Sequence, residues 1–174
     1  SEMPEQEEGL MQGFQLWLNL PARDKMTAPR YQDIPPDRIP VAHPAPGVEA
    51  KVLAGDLFGT RGPVDAGATE PLYADLRLAA GAAVEAGLPE GHNAFVYVYE
   101  GEAGVGDPPE ALARGRIGVL SGGDEVRLSA SNGARLILVA GKPLREPVAK
   151  YGPFVMNTQA ELVQAVEDFR AGRF

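Results

Sequence analysis

The chain has 174 residues and a formal net charge of −8. Twenty-one Gly and sixteen Pro make up about a fifth of it, and Cys is absent. Without Cys there is no disulfide, thiolate nucleophile, Cys-type zinc site or iron–sulfur cluster. The acidic balance argues against a general nucleic-acid surface, which needs clustered cations to displace counterions. No apolar run approaches the ~18 residues of a membrane span, and no signal-like segment opens the chain. The expectation is a soluble cytoplasmic protein with neither a membrane nor a direct nucleic-acid partner.

Residues 1–9 carry four Glu and nothing to bury. Gly13–Leu20 then alternates, with Phe14, Leu16, Leu18 and Leu20 on one face and Gln15, Trp17 and Asn19 on the other. This period of two predicts a half-buried strand. Pro21 to Gly47 holds seven Pro (21, 29, 35, 36, 40, 44, 46) and reads as an extended linker. A domain boundary is expected near residue 40.

From Val48 the pattern becomes short strands separated by Gly: 48–53, 71–78, 94–100, 116–120, 125–130 and 135–140. Six or more short strands with no helix between them predict an all-β sandwich or barrel. One helix is signposted. Thr158-Gln-Ala-Glu161 is a capping box, Leu162, Val166 and Phe169 recur at helical spacing, and Gly172 closes it. The predicted helix spans 158–171.

Chemistry is sparse. Ser1, Ser121, Ser129 and Ser131 sit in no nucleophile elbow. Gly101-Glu-Ala-Gly104-Val-Gly106 runs into Asp107-Pro108-Pro109, not a helix, so it is no dinucleotide loop. His43 falls in the linker and His92 in a turn before a strand; two imidazoles cannot supply a three-His metal set. Phe95, Tyr97 and Tyr99 share one face of a strand. They read as an aromatic face packing the sandwich, with a ligand-lining Tyr hydroxyl as the alternative.

Two stretches are more specific: Gly141-Lys-Pro-Leu-Arg-Glu-Pro-Val148, and Tyr151-Gly-Pro-Phe-Val-Met-Asn-Thr158. With Ser1-Glu-Met-Pro4 and Gly13-Phe-Gln-Leu-Trp-Leu-Asn-Leu-Pro21, they resemble the pirin family over nearly the whole chain. That resemblance implies a bicupin, two β-sandwich barrels in one chain. Family members are described as iron-binding proteins, some with quercetin 2,3-dioxygenase activity and some acting as transcriptional co-regulators.

The family's metal is held in the first barrel by three His and one Glu, the last two in a His-Ser-Glu run. This chain begins at the Ser of that run. Glu2 matches the Glu ligand, and its His partners are absent. The resemblance therefore implies that residues 1–40 are the last strand of an N-terminal cupin plus a Pro-rich linker. Residues 41–174 would be the C-terminal cupin, a β-sandwich or jelly-roll barrel with one C-terminal helix. Laid on the general cupin frame by spacing, Gly81 and Gly101 supply the framing glycines. The ligand positions then read Gly87, Pro89 and Ala94, with Ala134 in the second motif.

No iron is expected on this chain alone. The parent is expected to be an Fe(II)-dependent quercetin 2,3-dioxygenase acting on a flavonol-like molecule, and this chain its metal-free structural cupin. The alternative is an iron- or redox-sensing protein that engages a protein partner without turnover. A strand without its sheet also implies a dimer, or a retained N-terminal fragment.

Overall fold

A computed structural model describes residues 8–9, 11–64 and 67–173. Thirteen strands and one helix follow in chain order. They are β1 (Val41–Ala42), β2 (Val48–Ala54), β3 (Asp56–Leu57), β4 (Thr60–Arg61), β5 (Leu72–Leu78), β6 (Ala82–Gly87) and β7 (Asn93–Val105), then β8 (Glu110–Ala113), β9 (Ile117–Val119), β10 (Glu125–Ala130), β11 (Ala134–Gly141), β12 (Ala149–Tyr151), β13 (Phe154–Met156) and α1 (Gln159–Arg170).

Nine of the strands form one curled sheet in the order β1-β2-β5-β11-β7-β10-β6, with β8 and β9 also paired to β7. Every ladder in it is antiparallel. The 13-residue β7 is the hinge. Its first half pairs with β11 and β9, and its second half with β8 and β10, so one strand serves both faces of a half-barrel. At the crossover Gly101 adopts φ +72°, and a Cβ there would overlap the Gly133 carbonyl. Only glycine fits that bend.

Strict alternation fills the interior. Val48, Ala50 and Val52 of β2, Ala74, Leu76 and Leu78 of β5, and Val96 and Val98 of β7 all point inward. So do Leu136 and Leu138 of β11, Val84 and Ala86 of β6, and Val126 and Leu128 of β10. Each fully buried Val or Leu contributes roughly 1.5–3 kcal/mol relative to exposure. The core is aliphatic, and the only buried polar or charged residue described is Thr69.

The all-β cupin-type architecture with one helix is what the sequence predicted. The helix forms as expected, with Thr158 as N-cap accepting from the Glu161 amide and Glu161 reaching back. Two expectations need correction. Residues 11–20 run without helix or strand, although the alternation predicted a strand. A strand exists only with a neighbour to share its hydrogen bonds, and no ladder engages residues 11–20 among the described residues. Tyr97 and Tyr99 stand on the outer face of the sheet, not inside the sandwich, because Val96 and Val98 take the interior.

Two glycine variants test the bend. Gly81 has a similar φ of +76° but open space around it, so Gly81→Ala should cost about 1 kcal/mol, the backbone strain alone. Gly101→Ala adds the collision with Gly133 and should cost at least ~2 kcal/mol, a fall of roughly 4–8 °C in the melting midpoint. Equal losses in thermal melts of the two variants would contradict the crossover argument.

Candidate functional site

In a barrel of this kind the natural place for a ligand is the lumen, so its lining decides the chemistry. Here Ala94 and Ala134 are buried among the aliphatic core residues, Gly87 ends β6 and Pro89 lies in the loop that follows. None of the four carries an atom that could bind a metal. Among the described residues no group of three His, Cys, Asp or Glu converges.

Neither imidazole changes this. His43 is exposed on the linker side, beside Arg77 and Glu49 at a surface cavity. The ring nitrogens of His92 lie 3.2 Å from the carbonyl oxygens of Glu90 and Glu70, so backbone oxygens occupy both. Glu2 lies outside the described residues. The described residues do not fit an iron ion, since a first shell needs several convergent donors to replace the water an ion gives up.

The outer face of the sheet carries a second candidate. The Tyr99 hydroxyl donates to Asp75 Oδ1 at 2.7 Å across the β5–β11–β7 sheet. Burial pushes the Tyr99 phenol well above its usual range, and the hydrogen bond to Asp75 and that residue's negative charge push the same way. Tyr73 is raised as well, by burial first and by Asp75 second. Tyr99 therefore stays protonated and serves as a donor, not a base. Beside it a cavity of about 270 Å³ is lined by Lys51, Asp75, Arg77 and Arg135 among others. Phe14 covers the aromatic end, its ring 5.0 Å from Tyr99 and 5.9 Å from Tyr97. The hydroxyl bonds a carboxylate and the rings pack on Phe14, at the side of the cavity that Tyr99 also lines.

The third arrangement involves the two specific motifs, and sequence reasoning did not see it. Glu146 Oε2 accepts from the Ala22 backbone N–H at 2.7 Å and from Asn157 Nδ2 at 3.0 Å. Asn157 Nδ2 also donates to the Pro147 carbonyl, and the Asn157 N–H donates to Glu161. Arg145, immediately before, holds φ +54°, a conformation that a non-glycine residue keeps only where its surroundings fix it. Glu146 thus joins the N-terminal segment, its own loop and the start of α1. The partners are 124 and 11 residues away, so no local spacing pointed to them. The one available signal was a Glu set between Pro143 and Pro147.

Comparison with known proteins agrees with this architecture. Residues 73–174 match the model of the pirin C-terminal cupin domain. The chain belongs to the pirin family. It is 49% identical to a pirin-like protein of Caulobacter vibrioides, over 100% of this chain and 63% of that one. It is 46% identical to a Pseudomonas aeruginosa protein named as a candidate quercetin 2,3-dioxygenase, over 99% of this chain and 62% of that one. A solved quercetin 2,3-dioxygenase of Acinetobacter baumannii superposes with a TM-score of 0.85 at 36% identity, covering 91% of this chain and 55% of the other. The chain thus spans less than two thirds of the length of these pirin relatives. No helix among the described residues is long and apolar enough to cross a membrane.

The Tyr99–Asp75 pair gives a pH prediction. With a folded pKa raised above the reference of 10.0, the phenol is neutral in both states below that pH, and above it the unfolded chain ionises first. Its contribution to stability is therefore present below pH 10 and is lost as pH rises towards the folded value. Tyr99→Phe should cost about 1 kcal/mol at neutral pH and should flatten the alkaline decline in urea-unfolding midpoints. A variant that declines as steeply as the parent would contradict the assignment.

Proposed function

We propose that this chain is the structural second cupin of a pirin-type quercetin 2,3-dioxygenase, and that it binds no metal of its own. The observation that carries the reading is the lumen, filled by Val, Leu and Ala, with no converging group of His, Cys, Asp or Glu among the described residues. The dioxygenase names of the relatives support the reaction class, with a flavonol-like molecule as substrate. In this reading residues 1–40 end the preceding cupin, and Fe(II) sits in that barrel with Glu2 as its carboxylate ligand. No catalytic step is assigned to residues 41–174.

The role left to this domain is to support its neighbour. A closed aliphatic core with short edges is a rigid platform, and rigidity is what a metal shell on an adjoining domain requires. The charge of −8 favours protein surfaces or small molecules over nucleic acid.

Two measurements test this. Chain 1–174, incubated with Fe(II) and dialysed, should retain well below one iron per chain; tight stoichiometric iron would overturn the metal-free assignment. The product of the complete gene should consume oxygen with quercetin. Bound iron without turnover would replace the enzyme reading with an iron-sensing interaction protein.

A further inference from the structure

On the outer face of the sheet two cations stand directly side by side. Arg77 of β5 and Arg135 of β11 are cross-strand partners in the ladder. Glu49 of β2 lies opposite Arg77 on its other side, and Glu100 of β7 lies opposite Arg135. One row across four strands thus reads Glu49, Arg77, Arg135, Glu100, with the two guanidinium groups at its centre. Residues directly opposite on one face have Cβ atoms ~4.5–5.5 Å apart, and like charges so placed destabilise a sheet.

The flanking carboxylates hold the two cations loosely. Arg77 meets Glu49 at 3.4 Å and Arg135 meets Glu100 at 3.5 Å, and all four side chains are exposed. Ion pairs of that length and exposure contribute little, and each guanidinium has five N–H donors, so both keep donors to spare. The pair opens onto the cavity of about 270 Å³ beside Tyr99. Lys51, one row along on β2, lies opposite Asp75 and lines the same cavity. It makes no ion pair among the described residues, and Asp75 is engaged instead by the Tyr99 hydroxyl. The cavity therefore presents three cations, Lys51, Arg77 and Arg135, against two carboxylates, Glu49 and Asp75. That excess runs against a chain with 24 acidic and 16 basic side chains.

We propose that this cavity binds a small dianion whose charge sits on oxygens, a phosphate monoester or a dicarboxylate. The two guanidinium forks match the geometry of carboxylate and phosphate oxygens, and Lys51 adds a third positive charge from the neighbouring row. A dianion between Arg77 and Arg135 converts their mutual repulsion into a shared attraction, which a neutral ligand cannot do. Glu49 and Asp75 at the cavity, and the charge of −8 around it, disfavour a long polyanion. The cavity lies just below the ~300–1,000 Å³ of sites for drug-sized ligands, so its occupant is small. The proposal is independent of the dioxygenase reading, whose chemistry it does not use.

Malonate and inorganic phosphate are the probes, added at constant ionic strength with sodium chloride as the reference. Binding is followed by calorimetry in chain 1–174 and in the product of the complete gene, and by amide NMR shifts in chain 1–174. At least one probe should saturate with a Kd of roughly 1 mM, shifting the amides of Lys51, Asp75, Arg77, Tyr99 and Arg135. The Arg77→Gln/Arg135→Gln double variant should bind at least tenfold more weakly. Without anion its thermal midpoint should stay within about 2 °C of the parent's or above it, because the repulsion is relieved. Lys51→Gln, which leaves the arginine row intact, should weaken binding about threefold. Equal, non-saturating shifts with sodium chloride would overturn the proposal, as would binding that the double variant leaves unchanged. Binding by chain 1–174 that is absent from the complete product would overturn it too, since the cavity would then be filled by protein.

Discussion

The constraint on which everything else depends is the volume inside the barrel. Inward-facing positions on β2, β5, β6, β7, β10 and β11 carry Val, Leu and Ala, and protein interiors pack too densely to admit an ion or ligand among such side chains. Burying these groups supplies the stability of the domain. It also removes every donor from the place where a cupin would do chemistry. One packing decision therefore produces both a firm fold and a silent lumen.

What remains chemically expressive lies outside the barrel wall. The Phe14 contact with Tyr97 and Tyr99 ties the N-terminal segment to the outer sheet face, where Tyr99 also holds Asp75, and the Glu146 carboxylate ties the same segment to the start of α1. The two most specific motifs of the chain belong to this second tie. In this region the two motifs fasten segments together through the hydrogen bonds of Glu146 and Asn157.

Much of the fold was legible because its determinants are local. Alternation with glycine punctuation located β2, β5, β10 and β11 to within a residue or two, and the capping box located α1. Strand β6 was missed because Ala82–Gly87 is built from Ala, Gly and Glu around one Val, residues of weak strand preference whose burial only the tertiary fold reveals. The face of Tyr97 and Tyr99 was misjudged because alternation groups residues by side without saying which side is inside. The Glu146 clasp was illegible for a different reason: its partners lie 124 and 11 residues away and meet only in the tertiary fold.

The central claim is that the lumen is a packed apolar core and not a vacated metal site. Anomalous diffraction at the iron absorption edge, from crystals of chain 1–174 grown with excess Fe(II), tests it most directly. The account predicts no anomalous peak among the inward side chains of β2, β5, β7 and β11. A peak there, with protein ligands at bonding distance, would contradict it.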